Sequence, residues 1–142
     1  MTYLQKILDL HRLNAKNDKR SFELLYEEAS RIGPTRGFKK ELTRHSEKGI
    51  AVIAEIKRRS PSKGDLFANL DPGVLAAEYE SGGAAAISVL TDKENFGGSD
   101  KDLIEASKSV KIPVLRKDFT VDQRDIWDAR IMGADAVLLI VS

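Results

Sequence analysis

Residues 53–64 read IAEIKRRSPSKG, a short apolar run that ends in charge and opens into a loop of serines, a lysine and a glycine. Strand side chains alternate with a period of two, so Glu55 and Lys57 point to one side and Ala54 and Ile56 to the other. An acid and a base therefore project together from the C-terminal end of a strand. That is the end at which α/β folds built on parallel strands assemble their active sites. The loop that follows carries Ser60, Ser62, Lys63 and Gly64, hydroxyls and a cation on a flexible backbone, which suits a phosphate. A solvated charged loop, a kinase site or a localisation signal competes with this reading. The buried strand in front of the loop decides for a site.

Downstream, further apolar runs recur between helical segments. With Ile50 to Ile56 they are Ala84 to Leu90, Ile112 to Leu115 and Ala134 to Val141. Apolar at nearly every position, they predict parallel strands buried on both faces. The intervening helices have legible ends. Asp71 and Pro72 supply an N-cap and a first helical residue, with Gly82 and Gly83 as the stop. Ser99 with Asp102 resembles a capping box before Leu103 and Ile104. Asp122 caps a helix bearing Ile126, Trp127 and Ile131 that ends at Gly133. The order β-α-β-α-β-α-β predicts a parallel sheet with right-handed crossovers.

The third run, IPVLRKDF at 112–119, repeats the design of the first. Lys117 shares parity with Leu115 and Phe119, so an ammonium and an aromatic ring face the interior at the strand's C-terminal end. A lysine stem in such a place needs a partner or a ligand. Arg116 and Asp118 have the opposite parity and read as an ion pair among helix ends. After the second run, TDKENFGGS at 91–99 reads as a tight loop. Phe96 within it either covers the sheet end or touches a ligand.

Upstream of Ile50 the texture is helical. Leu4, Ile7, Leu8 and His11 follow helical spacing, as do Phe22, Leu25, Tyr26 and Ala29. Gly33 and Pro34 break the pattern, and Phe38 and Leu42 mark a third helix. Tyr3, Phe22, Tyr26 and Phe38 read as core or docking residues. His11 and His45 lie far along the chain from the strand ends, without metal-type ligands at a convincing spacing. They are assigned to surface or helix packing.

Composition narrows the function classes. Lys and Arg number 23 against 22 Asp and Glu, a formal charge of +1, so no global field favours nucleic acid or an anionic membrane. There is no cysteine, which removes disulfides and sulfur-ligated metals and accords with a reducing compartment. The first twenty residues carry charges throughout and lack the apolar core of a signal peptide, and no stretch is long and apolar enough for a membrane span. The expectation is a cytoplasmic protein of one domain over residues 1–142, with a helical extension at 1–49 and strand–helix units at 50–142.

The ordered motifs IAEIKRRSPSKG at 53–64, GGAAAISVLT at 82–91, FGGS at 96–99, PVLRKDF at 113–119 and GADAVLLIV at 133–141 closely resemble the indole-3-glycerol phosphate synthase family. The resemblance implies a (β/α)8 TIM barrel. This chain supplies its N-terminal helical extension, expected over the barrel mouth, plus the first four parallel strands and three helices. A whole barrel takes roughly 250 residues, so the resemblance implies that the later strands lie outside this sequence.

The family converts 1-(2-carboxyphenylamino)-1-deoxyribulose 5-phosphate into indole-3-glycerol phosphate, releasing carbon dioxide and water, with no metal or organic cofactor. The implied roles follow residue by residue. Lys117 matches the general acid that protonates the substrate carbonyl. Lys57 matches the lysine that meets the substrate anion, and Glu55 a catalytic glutamate near both. Ser60 matches the phosphate-side serine, and Phe96, Phe119 and Leu138 the apolar wall around the anthranilate ring. The implied partner is a phosphorylated small molecule. Self-association through open sheet edges, or pairing with the rest of the barrel, is expected of a half-barrel. A Schiff-base aldolase using Lys117 as nucleophile and a non-catalytic assembly fragment are the competing readings.

Overall fold

A computed structural model describes residues 2–141, so that Met1 and Ser142, the ends of the expected domain, lie outside the described residues. Three helices come first: α1 (Tyr3–Asn17), α2 (Phe22–Arg31) and α3 (Phe38–Ser46). The sheet strands are β1 (Ile53–Ile56), β4 (Ala86–Leu90), β5 (Val114–Lys117) and β6 (Ala136–Val137), in the order β1-β4-β5-β6 and all parallel. Between β1 and β4 run a small antiparallel pair, β2 (Arg59–Ser60) with β3 (Gly64–Asp65), and α4 (Pro72–Ser81). A one-turn helix α5 (Lys93–Phe96) and then α6 (Asp100–Ser109) join β4 to β5, and α7 (Gln123–Ile131) joins β5 to β6. No helix among the described residues is long and apolar enough to cross a membrane.

The anticipated caps form. The Asp71 carboxylate accepts from Val74 N at 2.9 Å with Pro72 behind it, and Ser99 Oγ accepts from Asp102 N at 3.1 Å. Asp122 and Asp125 make a full capping box. Two features read as loop are ordered: α5, capped by Asp92, and the β2–β3 pair. Each is too short for apolar periodicity to reveal.

Strand burial departs from the expectation of two buried faces. Only β4 is buried at every position; Ile53 on β1 is exposed, and both residues of β6 are intermediate. The reason is neighbour count. β4 has a four-residue pairing on each side, β5 is paired with β6 at only two residues, and β1 and β6 are edges of the described sheet. The fourth run, predicted as Ala134 to Val141, accordingly pairs only at Ala136 and Val137, and Leu139, Ile140 and Val141 stand exposed.

Side-chain parity sorts the sheet. Ile56, Ile87, Val89 and Val114 pack with Ala76, Leu103, Ala106 and Ala129 into the core between the strands and α4, α6 and α7. On the other face the register aligns Glu55 with Ser88, Ser88 with Leu115, and Leu90 with Lys117.

The helical extension touches both ends of the sheet. α1 lies at the C-terminal strand ends, where Tyr3 Oη donates to Asn95 at 2.8 Å. α2 runs down the outside of α7, with Phe22 and Tyr26 set edge-on to Trp127. At the N-terminal end Arg36 donates to Asp135 Oδ2 (2.8 Å), to the carbonyls of Ser107, Val110 and Gly133, and to Ser107 Oγ. Asp135, with a side chain 1% exposed, also accepts from Val114 N at 2.9 Å. Only α1 therefore meets the expectation that the extension covers the mouth, since α3 follows Arg36 at the opposite end.

Gly98 fits where no side chain fits. A Cβ there would stand 2.1 Å from the Leu90 carbonyl oxygen.

Two outcomes are expected. Arg36→Ala removes the guanidinium from a buried carboxylate and three carbonyls, and should cost about 2–4 kcal/mol in chemical denaturation; Arg44→Ala, whose ion pair with Glu41 is exposed, should cost under about 1 kcal/mol. Gly98→Ala should cost more than the roughly 1 kcal/mol of an ordinary exposed change, because backbone must move to admit the methyl group, and thermal unfolding measures it.

Candidate active site

The C-terminal end of β1 delivers Glu55 and Lys57 to one face, and the end of β5 delivers Lys117 to the same face. Glu55 Oε1 lies 3.0 Å from Lys57 Nζ, and Glu55 Oε2 lies 3.0 Å from Lys117 Nζ. One carboxylate thus joins two ammonium groups across 62 residues of sequence, leaving one unbalanced positive charge in the cluster. Burial pushes the Glu55 carboxyl up, but the hydrogen bonds from Lys117 and Lys57 outweigh it, so Glu55 titrates below its ordinary value. Each of the three side chains remains about one-third exposed, open to a ligand arriving from solvent.

Beside Lys117 is a cavity of about 60 Å³ walled by Leu90, Phe96, Phe119, Leu138 and Ile140. Phe96, Phe119 and Leu138, named from sequence, thus meet at one apolar pocket with Lys117 at its edge. Ser60 does not line it. Ser60 lies on β2 in a separate depression with Arg59, Gly64 and Asn95, and its hydroxyl accepts from Lys63 N at 3.3 Å. The two depressions share α5, which contributes Asn95 to one and Phe96 to the other. Another depression, about 810 Å³, lies at the far end of the sheet between α3 and Asp135, away from all these residues.

The basic run after β1 divides its labour. Lys57 faces Glu55. Arg58 instead makes a two-pronged ion pair with Asp102 (2.7 and 3.0 Å) and donates to the carbonyls of Ala68 and Leu70, tying the β1–α4 connection to the start of α6. Arg59 donates to the Glu94 carbonyl on α5. Arg116 and Asp118 pair at 3.5 Å, as their parity anticipates, and Asp118 also accepts from the Thr91 hydroxyl.

The structure corrects the placement of His11. Its Nε2 lies 3.0 Å from Asp92 Oδ2 and 3.9 Å from Asp118 Oδ1, and its ring centroid is 5.2 Å from that of Phe119. It therefore belongs to the mouth, not to remote helix packing. His11, Asp92 and Asp118 bring ligand-type atoms within 4.8 Å of one another. The carboxylates are already engaged, however: Asp92 by Asn95 N and Nδ2, Asp118 by Thr91, Arg116 and Phe119 N. The group reads as a hydrogen-bonded junction. The signal for it was helical spacing, which puts His11 on the face of α1 shared with Leu4 and Ile7. His45 stays with Glu41 and Arg44 on α3, as anticipated.

The family profile described as Indole-3-glycerol phosphate synthase matches residues 4–142. Among curated relatives, an indole-3-glycerol phosphate synthase of Chlorobium chlorochromatii is 44% identical over 144 aligned residues, covering 100% of this chain and 56% of the relative. Indole-3-glycerol phosphate synthase 1 of Streptomyces coelicolor is 47% identical, again over 100% of this chain and 52% of the relative. One from an Arthrobacter species is 57% identical over 97 residues, 68% of this chain and 36% of that protein. The chain spans about half the length of the curated relatives it matches from end to end. Sheet, site and similarity agree, and the chain belongs to the indole-3-glycerol phosphate synthase family, whose fold is the (β/α)8 TIM barrel.

Proposed function

We propose that this chain carries the acid-catalysis and ring-binding half of an indole-3-glycerol phosphate synthase site. The observation that carries the reading is the Glu55 carboxylate held at 3.0 Å from both Lys57 and Lys117 beside the pocket of Phe96, Phe119 and Leu138. The apolar wall takes the anthranilate ring, whose burial favours binding in proportion to area removed from water. Lys117, at the pocket's edge, donates a proton to the substrate carbonyl as the ring carbon attacks it. Carbon dioxide then leaves, and loss of water restores aromaticity. Glu55 orients Lys117 by its hydrogen bond and accepts a proton in turn. Lys57 meets a substrate anion, which the one net positive charge of the cluster favours. Ser60, in the neighbouring depression with Arg59, is assigned to the phosphate.

Chemistry at this site requires groups from the remaining strands of the barrel, so the 142 residues alone are proposed to be silent. The exposed Ile50, Val52 and Ile53 near one edge and Leu139, Ile140 and Val141 at the other support pairing with the rest of the barrel or with a second copy, since an unpaired edge is a template for another strand. The cysteine-free composition supports a reducing, cytoplasmic setting.

In a protein carrying the whole barrel, Lys117→Ala should lower kcat by roughly 10²-fold or more with little change in KM. Lys57→Ala should raise KM as well, because it meets the ground-state anion. Near-normal turnover in Lys117→Ala, or borohydride trapping of substrate on Lys117, would exclude the acid role; the latter would favour a Schiff-base enzyme. For the isolated chain, solution mass should rise with concentration and no product should form. A strict monomer turning over at the rate of a whole synthase would refute the need for the other half.

A further inference from the structure

α1 is fastened to the strand ends at three places. Tyr3 Oη donates to Asn95, His11 reaches Asp92, and Arg124 donates to the carbonyls of Ala15 (2.7 Å) and Asp18 (2.6 Å) at the helix C-terminus. The first is exposed and uncharged. The third is a permanent cation at a helix C-terminus, a favourable and pH-independent arrangement near neutrality. His11 alone changes charge in that range, and it alone also touches a wall of the apolar pocket, the ring of Phe119.

From this geometry we infer that His11 is a positioning residue for the aromatic wall: by bonding Asp92 while lying against Phe119 it holds α1 to the mouth, most firmly as the imidazolium. Asp92, where it bonds, is the N-cap of α5, the helix that carries Phe96. One side chain therefore braces both aromatic residues of the five-residue apolar wall, Phe119 by contact and Phe96 through the cap. The importance for turnover rests on the function proposed above. The fastening does not.

Carboxylates at three packed elements favour the charged form. Asp92 stands before α5, Asp118 follows β5, and Asp125 is in the first turn of α7; Arg116 is the opposing cation and is itself paired with Asp118. On α1, the adjacent Arg12 is exposed and turned to Asp9. The hydrogen bond to Asp92 lifts the His11 pKa above its ordinary value, with burial opposing and the three carboxylates assisting. A raised folded-state pKa means the extra hold is fully present below the unfolded value of about 6.5 and is lost as pH rises through the folded value. The loss is partial, because a neutral imidazole with its proton on Nε2 still donates to Asp92 without the charge assistance.

The test follows the His11 and Phe119 ring resonances of this chain by NMR across pH, with amide exchange of α1, in the unaltered protein and in His11→Gln and His11→Phe. His11 should titrate above about 6.5, and the Phe119 ring shifts should move with the same midpoint. Amide protection in α1, taken relative to the intrinsic exchange rate at each pH, should fall roughly fivefold above it, the difference between a charge-assisted and a neutral hydrogen bond. His11→Gln keeps a donor but no titration and should abolish both pH dependences; His11→Phe keeps the ring contact and should show the lowered protection at every pH. Phe119 shifts that ignore the His11 titration, or a midpoint surviving in His11→Gln, overturn the inference. In a whole-barrel protein His11→Gln should raise KM more than it lowers kcat, and an unchanged KM also overturns the positioning role. Coupled titration in a whole-barrel protein without synthase activity refutes the proposed reaction and leaves the fastening intact.

Discussion

A strand inside a parallel sheet allows its side chains two directions, and every strand of the sheet runs the same way. These constraints bring Glu55 and Lys117 within 3.0 Å although 62 residues separate them. The register aligns Glu55 with Ser88, and Ser88 with Leu115, so Lys117, two residues on, emerges one layer above Glu55 on the same face. A slip of one residue in β5 would send Lys117 into the helical layer among Leu103 and Ala106 and put Arg116 at the pocket. The burial of β4 opposes that slip. Ile87 and Val89 are completely buried on the helix side, and their packing fixes which row of each neighbouring strand faces inward.

Charge at that face is arranged so that no member is left alone. A carboxylate with a lysine on each oxygen loses hydration but gains two charge-assisted hydrogen bonds, and the gain wins, as the lowered titration of Glu55 reflects. A lone lysine pair at this spacing would repel; the interposed carboxylate makes the pair stable and leaves its net charge available. Partial exposure matters equally. In a fully buried triad the desolvation cost would grow, and no anion could reach the ammonium groups.

Periodicity and capping make the element order legible in the sequence, because β1, β4, β5 and every long helix but α3 bury residues on one face, and those helices carry side-chain N-caps. The convergence of Glu55, Lys57 and Lys117 is legible for the same reason: it depends only on strand parity and direction. His11 shows where such reasoning stops. Its helical spacing identifies the buried face of α1, but nothing local says which part of the protein that face meets. Ser60 shows another limit. The loop chemistry suits an anion, yet the small β2–β3 pair turns Ser60 into a depression separate from the Lys117 pocket. Arg58 illustrates the ambiguity of a basic run, since three adjacent cations look equivalent in sequence and only the position of Asp102 assigns one of them to structure.

The helical extension is attached differently at the two ends of the sheet. At the N-terminal end the partly buried Arg36 is held by fixed acceptors: carbonyls whose orientation the sheet and α6 set, and a buried Asp135 carboxylate that also holds Val114 N. Nothing there can relax without stranding several polar groups at once, so the attachment is stiff. At the C-terminal end α1 buries little; Ile7 is its one buried residue among those described. It is held instead by separate polar contacts, each weak enough to open singly. α2, packed along α7 through Phe22 and Tyr26, connects the two attachments.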